Sequence, residues 1–154
     1  AINVGTSVSR VGGSAQTNAM KKGAGRLRLD LAQYRELEAF SQFGSELDLA
    51  TQRALARGEK MVAPLTQPQY QPWPHAEQVV ALYAGVNGHL DEIPTPQVAR
   101  FHDELREHLR AEGTIFPAIE ETKDLADDLV ARLEAELKKF RNGFSIEEER
   151  GLVA

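Results

Sequence analysis

The chain has 154 residues, 42% of them hydrophobic, and a formal net charge of -5, with a pI of ≈ 5.4. That length holds one ordinary domain with a real core, and the acidic balance argues against a grip on nucleic acid, which needs a basic face. Cysteine is absent, so disulfides, thiolate catalysis and cysteine-based zinc sites are excluded. The longest apolar stretch, residues 79–86, falls far short of the roughly 18 residues of a membrane-spanning helix. No secretory signal pattern is visible. The chain opens on Ala1 rather than Met, and Ala1-Ile2-Asn3-Val4-Gly5 reads like the exit of a strand. The expectation is therefore a piece of a longer protein.

Residues 1–13 are rich in Gly, Ser and Val and lack helical periodicity. After Ser14 the character changes. Leu27, Leu31, Tyr34, Leu37 and Phe40 recur at helical spacing and define an apolar stripe. Gly44-Ser45 breaks it, and Ser45-Glu46-Leu47-Asp48 has the form of a capping box. A second helix is predicted over about 47–65, with a bend at Gly58 or Pro64. Residues 66–74 contain Pro68, Pro72 and Pro74, which push their predecessors towards extended backbone. This stretch reads as an ordered connector. A third helix should start near Pro74, with Val79, Tyr83, Val86 and Leu90 on one side. Thr95-Pro96 signals the start of a fourth, striped by Val98, Phe101, Leu105 and Leu109. Thr122 is the expected cap of a last helix carrying Leu125, Leu129, Leu133, Leu137 and Phe140, with Gly143 as its stop. Residues 145–154 read as a frayed acidic tail. Stripes of this width joined by short loops predict a mainly α protein folded as an antiparallel helical bundle.

Two segments can carry chemistry. Arg10 sits in Ser7-Val8-Ser9-Arg10-Val11-Gly12-Gly13. A guanidinium keeps its charge and donates in a planar fork suited to phosphate oxygens, Ser7 and Ser9 add hydroxyl donors, and the glycines permit a tight turn. The plainer reading is a solvated surface arginine. In the connector, Gln67, Gln69 and Tyr70 place two carboxamides and an aromatic in a stiff turn, able to meet the edge and face of a purine. The plainer reading is that the glutamines satisfy nearby backbone groups. Trp73 is expected to pack under the connector rather than stack on a ligand. His75, His89, His102 and His108 lack the i,i+3 or i,i+4 spacing of a metal pair, and no HExxH or phosphate-binding glycine loop occurs. The acid pairs Asp91-Glu92, Glu120-Glu121 and Asp127-Asp128 suit helix starts and solvated faces.

Several of these stretches resemble the alpha subunits of F-type ATP synthases. They include Asn3-Val4-Gly5, Ser7 through Gly13, Ala15-Gln16, Ala19-Met20-Lys21-Lys22, Leu27 through Glu36, Gln67-x-Gln69-Tyr70 and Tyr83-Ala84-Gly85-Val86-Asn87-Gly88. The likeness is strong over 1–92 and weaker over 93–154, where Phe140-Arg141-Asn142-Gly143-Phe144 continues it. The segment Phe40-Ser41-Gln42-Phe43-Gly44-Ser45-Glu46-Leu47-Asp48 follows the alpha pattern, not the strongly acidic loop of beta subunits. Gly23, Pro64, Pro68 and Thr6 depart from the family's usual residues without removing a chemical group. The resemblance implies that residues 1–16 are the tail end of an α/β nucleotide-binding domain, 17–144 the C-terminal helical domain, and 145–154 a C-terminal tail. It puts Arg10 at the arginine finger that reaches a neighbouring beta subunit's catalytic site, with Ser9 beside it. It puts Gln67 and Gln69 at the adenine of the alpha subunit's own noncatalytic site. ATP or ADP with Mg²⁺ is the implied cofactor, its magnesium ligands lying outside this sequence. Implied partners are beta and other alpha subunits and the central gamma rotor, in a peripheral complex on the cytoplasmic side of the bacterial plasma membrane or an equivalent energy-transducing membrane. Taken alone, the 154 residues are expected to be inactive. The alternative is a free-standing helical interaction or assembly module without a catalytic role.

Overall fold

The computed structural model describes residues 11–41 and 48–144. These form eight α-helices: α1 (Gly12–Ala15), α2 (Asn18–Ala24), α3 (Leu27–Ser41), α4 (Leu49–Val62), α5 (His75–Val86), α6 (Val98–Glu112), α7 (Ile115–Thr122) and α8 (Asp127–Gly143). No strand occurs among the described residues. Short 3-10 turns, Ala63–Leu65 and Thr95–Gln97, follow α4 and precede α6.

Helix α5 is central. Ala76, Val79, Val80, Ala81, Tyr83 and Ala84 are all buried along it, so it is covered on most sides. The main core gathers most of these residues with Phe101, Leu105 and Leu109 of α6, Ile115 and Ile119 of α7, and Leu129, Leu133 and Leu137 of α8. A smaller cluster joins Leu27 and Leu31 of α3 to Met61 of α4. Helices α3 and α4 run antiparallel, since Leu31 lies with Met61 and Tyr34 with Gly58. So do α6 and α8, where Phe101 meets Phe140 and His108 meets Glu136. Helices α2 and α5 instead bring their N-terminal ends together, Thr17 Oγ1 lying 2.8 Å from His75 Nε2.

Helix ends are closed by specific groups. Thr17 caps α2 by accepting the Met20 N–H, and the Ala19 N–H donates to the Lys123 carbonyl. Pro74 offers α5 no side-chain oxygen, and Glu120 Oε1 of α7 accepts the Ala76 N–H at 2.8 Å in its place. Gly113 ends α6 in the left-handed region, φ 81°. Glu112 then turns its carboxylate onto the N–H groups of Thr114 and Ile115 at 2.9 and 3.0 Å, starting α7.

Several sequence expectations change. The second helix starts at Leu49, because Asp48 is extended and is itself the cap, accepting the Thr51 N–H at 3.0 Å; Ser45 lies outside the described residues. Gly58 does not break α4, which runs unbroken to Val62 before the Pro64 turn. Leu90 is buried in the turn after α5, not on the helix. Pro94 rather than Thr95 caps the turn into α6. Thr122 ends a helix, α7, that periodicity did not reveal, and Ala126 precedes α8 without a side-chain cap; Asp127 and Asp128 in the first turn of α8 complement its positive end. At the N-terminus, Gly12–Ala15 forms one helical turn where no helical pattern was visible, and Gly25-Arg26 separates α2 from α3.

Candidate functional site

Arg10 and Ser9 lie outside the described residues. The other candidate segment, the proline connector between α4 and α5, is described throughout. Its direction is set by the Ala63–Leu65 turn, closed by the Thr66 N–H on the Ala63 carbonyl. A second turn at residues 68–71 is closed by the Gln71 N–H on the Pro68 carbonyl. Tyr70 occupies the left-handed region at φ 63°, an uncommon state for a bulky residue, and it is 90% exposed. Gln69 is exposed and Gln67 half-buried.

The Gln67 side chain bends back along the connector, and its Oε1 accepts the Trp73 N–H at 3.0 Å. From the other side, Gln78 Nε2 of α5 donates to the Trp73 carbonyl at 2.7 Å. The indole is covered by the Arg106 guanidinium of α6, 4.2 Å above the ring centroid, a cation–π contact. His102, one turn earlier on α6, lies 5.9 Å from it, centroid to centroid. Trp73 thus packs against the helical body, as the sequence predicted. Arg106 is held by Asp103 at 2.9 Å and by Glu77 at 3.4 Å. Glu77 is 5% exposed and also accepts a two-pronged bond from Arg110, at 2.7 and 2.8 Å. A buried carboxylate is tolerable only with such partners. Trp73, His102, Asp103, Arg106 and Arg110 line a groove of ≈ 590 Å³ between the connector and α6.

His102 is the unusual member. It is 1% exposed and neither ring nitrogen has a partner. Burial, reinforced by the neighbouring Arg106 charge, pushes its pKa down to about 4. The other histidines pair differently: His75 with Thr17, His89 with Glu134 and His108 with Glu136. Glu134 also accepts a 2.6 Å bond from Tyr83, stapling α5 to α8. Burial alone would raise the Glu134 carboxyl, but the bonds from Tyr83 and His89 outweigh it and hold it below the ordinary value. The Tyr83 hydroxyl is pushed up, by burial first and then by Glu134.

Gln67 and Gln69 therefore share one fixed loop but differ in state. Gln67 already satisfies a backbone group, as the plainer reading expected, and yet only its oxygen is engaged. Among the described residues its Nε2 has no partner. The support from Glu77, Arg106 and Gln78 was not foreseen. The available signal was Glu77 itself, an acid set among Ala76, Val79 and Val80 on a buried face.

The family model for the C-terminal domain of the ATP synthase alpha/beta chain matches residues 16–140. ATP synthase subunit alpha of Mycolicibacterium vanbaalenii is 51% identical over 99% of this chain. That of Frankia alni is 53% identical over 99%, and that of Mycobacterium avium 52% over 94%. The chain spans 28% of the length of the first two and 26% of the third. The helical fold, the matched residues and these identities lead to one assignment: the chain belongs to the ATP synthase alpha/beta family, as the C-terminal domain of an alpha subunit.

Proposed function

We propose that this chain works within an assembled ATP synthase, contributing a phosphate-directed arginine through Arg10 and an adenine-reading loop through Gln67 and Gln69. The observation that carries the reading is the similarity to alpha subunits across 99% of the chain, joined to a connector whose two carboxamides stand on a loop fixed at Trp73. The chemistry of the donor set fits a purine: the Gln67 Nε2 has hydrogens to give, Gln69 is exposed, and the exposed Tyr70 follows the glutamines on the same loop. The nucleotide is ATP or ADP with Mg²⁺, which neutralises phosphate charge when bound. This sequence carries no phosphate-binding glycine loop, so the phosphates are held by residues elsewhere in the complex.

Arg10 acts in trans. Phosphoryl transfer spreads negative charge over the equatorial oxygens, and a guanidinium supplied by a neighbouring subunit stabilises that charge only while the interface is closed. Ser9 contributes a hydroxyl beside it. Beta subunits, other alpha subunits and the gamma rotor are the partners, and the complex is attached to the membrane through other subunits. Among the described residues no helix is long and apolar enough to cross a membrane.

Two substitutions in the full-length subunit, assembled with its partners, test the reading. Arg10→Lys lowers steady-state ATP hydrolysis by about 10³-fold or more; near-normal turnover removes the finger role. Gln67→Ala weakens nucleotide binding at the noncatalytic sites by about tenfold and leaves catalytic-site binding in place. Equal titrations for wild type and variant remove the adenine role.

A further inference from the structure

We propose that the cleft between α3 and α4 is a docking site for an acidic segment of another subunit, one that brings a carboxylate with an apolar residue beside it. This inference rests on assembly of the chain with other subunits and not on the roles given to Arg10 or Gln67. The cleft has a volume of ≈ 370 Å³. Arg26, Arg53 and Arg57 line it against a single carboxylate, Asp30. Tyr34, Val86 and the buried Met61 give it an apolar side. Arginine, tyrosine and methionine are the residue types that interfaces gather.

The three guanidiniums are not equally engaged. Arg57 is tied to Asp91 by a two-pronged bond. Arg26 stands 3.9 Å from Asp30, the edge of an ion pair, with its side chain 78% exposed. Arg53 is exposed and, among the described residues, has neither a hydrogen-bond nor an ion-pair partner. Asp30 is thus left to balance both Arg26 and Arg53, and the cleft keeps a surplus of positive charge. Composition does not dictate this. Residues 21–60 hold eight Lys and Arg against six Asp and Glu, a surplus of +2 inside a chain of net charge -5. A carboxylate entering the cleft can take a planar, two-pronged bond from Arg53, whose guanidinium is weakly hydrated and gives up its water at low cost. An apolar neighbour packed on Met61 and Val86 would keep solvent from that pair, which makes it stronger than a pair left open on the surface.

The test uses the full-length subunit in its assembled complex. A photoreactive p-benzoylphenylalanine replaces Ala50, an exposed residue lining the cleft, and mass spectrometry identifies the peptide it captures in the purified complex. The expected product joins this chain to a segment of another subunit that contains Asp or Glu. Arg53→Glu sets two acids against each other, so at low salt it should speed subunit exchange between differently labelled complexes by about tenfold or more. The difference should shrink at high salt. Arg53→Gln, which removes the charge and keeps a polar side chain, should fall between. Replacing the captured acid by Arg in the Arg53→Glu complex should bring exchange back towards the wild-type rate, a rescue that general loosening of the fold would not give. No cross-link, one confined to this chain, or one to a segment without a carboxylate overturns the acidic occupant. Unchanged exchange in Arg53→Glu, or no rescue by the reversed acid, overturns the pairing through Arg53. A full-length subunit that enters no complex removes the assembly on which the inference rests, whereas these negative results in a complex that does form remove the inference alone.

Discussion

The buried imidazole of His102 should make the stability of this domain depend on pH between about 6.5 and 4. The ring is 1% exposed, both nitrogens lack partners, and burial with the Arg106 charge pushes its pKa down from 6.5 to about 4. In the unfolded state the same imidazole takes a proton near its ordinary value. Below that value the unfolded state binds a proton that the folded state refuses, so stability is whole above pH 6.5, declines through the window, and levels off near the folded value. A displacement of this size corresponds to about 3 kcal/mol. The perturbation is His102→Leu, which removes the titrating group and both orphaned nitrogens. At pH 7 it should be neutral or slightly stabilising, because an unsatisfied polar group has been replaced by an apolar one. The assay is urea unfolding of wild type and variant at about pH 7 and about pH 4.5, which bracket most of the window. Carboxylates held down in the fold, such as Glu112, Glu120 and Asp124, also weaken the protein as pH falls. They act equally in wild type and variant and cancel in the difference. Wild type should lose about 2–3 kcal/mol more than His102→Leu over this interval. Parallel losses would mean that His102 is solvated or protonated in the fold, and the reasoning would be refuted.

Two substitutions probe the packing of the helices against one another. At Gly58, an added Cβ would collide with the Tyr34 ring, so Gly58→Ala should destabilise by about 1–3 kcal/mol despite a helix-propensity gain of about 1 kcal/mol; in a Tyr34→Ala background, thermal unfolding should show it neutral or stabilising. Tyr83→Phe removes the bond to the Glu134 carboxylate and should cost about 1–2 kcal/mol by urea unfolding. Because the folded Glu134 pKa is depressed, that support is present above the ordinary carboxylate value and disappears as pH falls through the folded one, so the Tyr83→Phe deficit should shrink in acid.

The helical class was readable because the stripes are long. Val98, Phe101, Leu105 and Leu109 repeat at helical spacing and all are buried in α6. Helix α7 escaped because it has only eight residues and carries Pro117 in its first turn, where proline reads as a break although the missing N–H has no helical partner there. Periodicity also says which face is apolar but not where its cover ends. Phe40 continues the stripe of α3 and is 72% exposed, whereas Leu31 on the same stripe is 3% exposed. The start of α4 was misplaced because neighbours compete for one role. Asp48 meets it with an extended backbone and a carboxylate that accepts the Thr51 N–H.

The candidate site was half legible for a related reason. Gln67, Gln69 and Tyr70 are neighbours in sequence, so their shared turn could be read from the prolines. The groups that fix the turn come from Glu77 and Gln78 on α5 and from His102 and Arg106 on α6, and no local pattern joins them. Their energetic logic is collective. Glu77 is tolerable in the core only because Arg110 and Arg106 surround it, Arg106 keeps its place over the indole because Glu77 and Asp103 hold it, and Trp73 presents its N–H to Gln67 from that anchored position. Support of this kind spares the turn the rotamer entropy that a free side chain loses each time it is ordered. The most informative residue for how this turn is held is therefore Glu77, which lies on α5 and outside the loop itself.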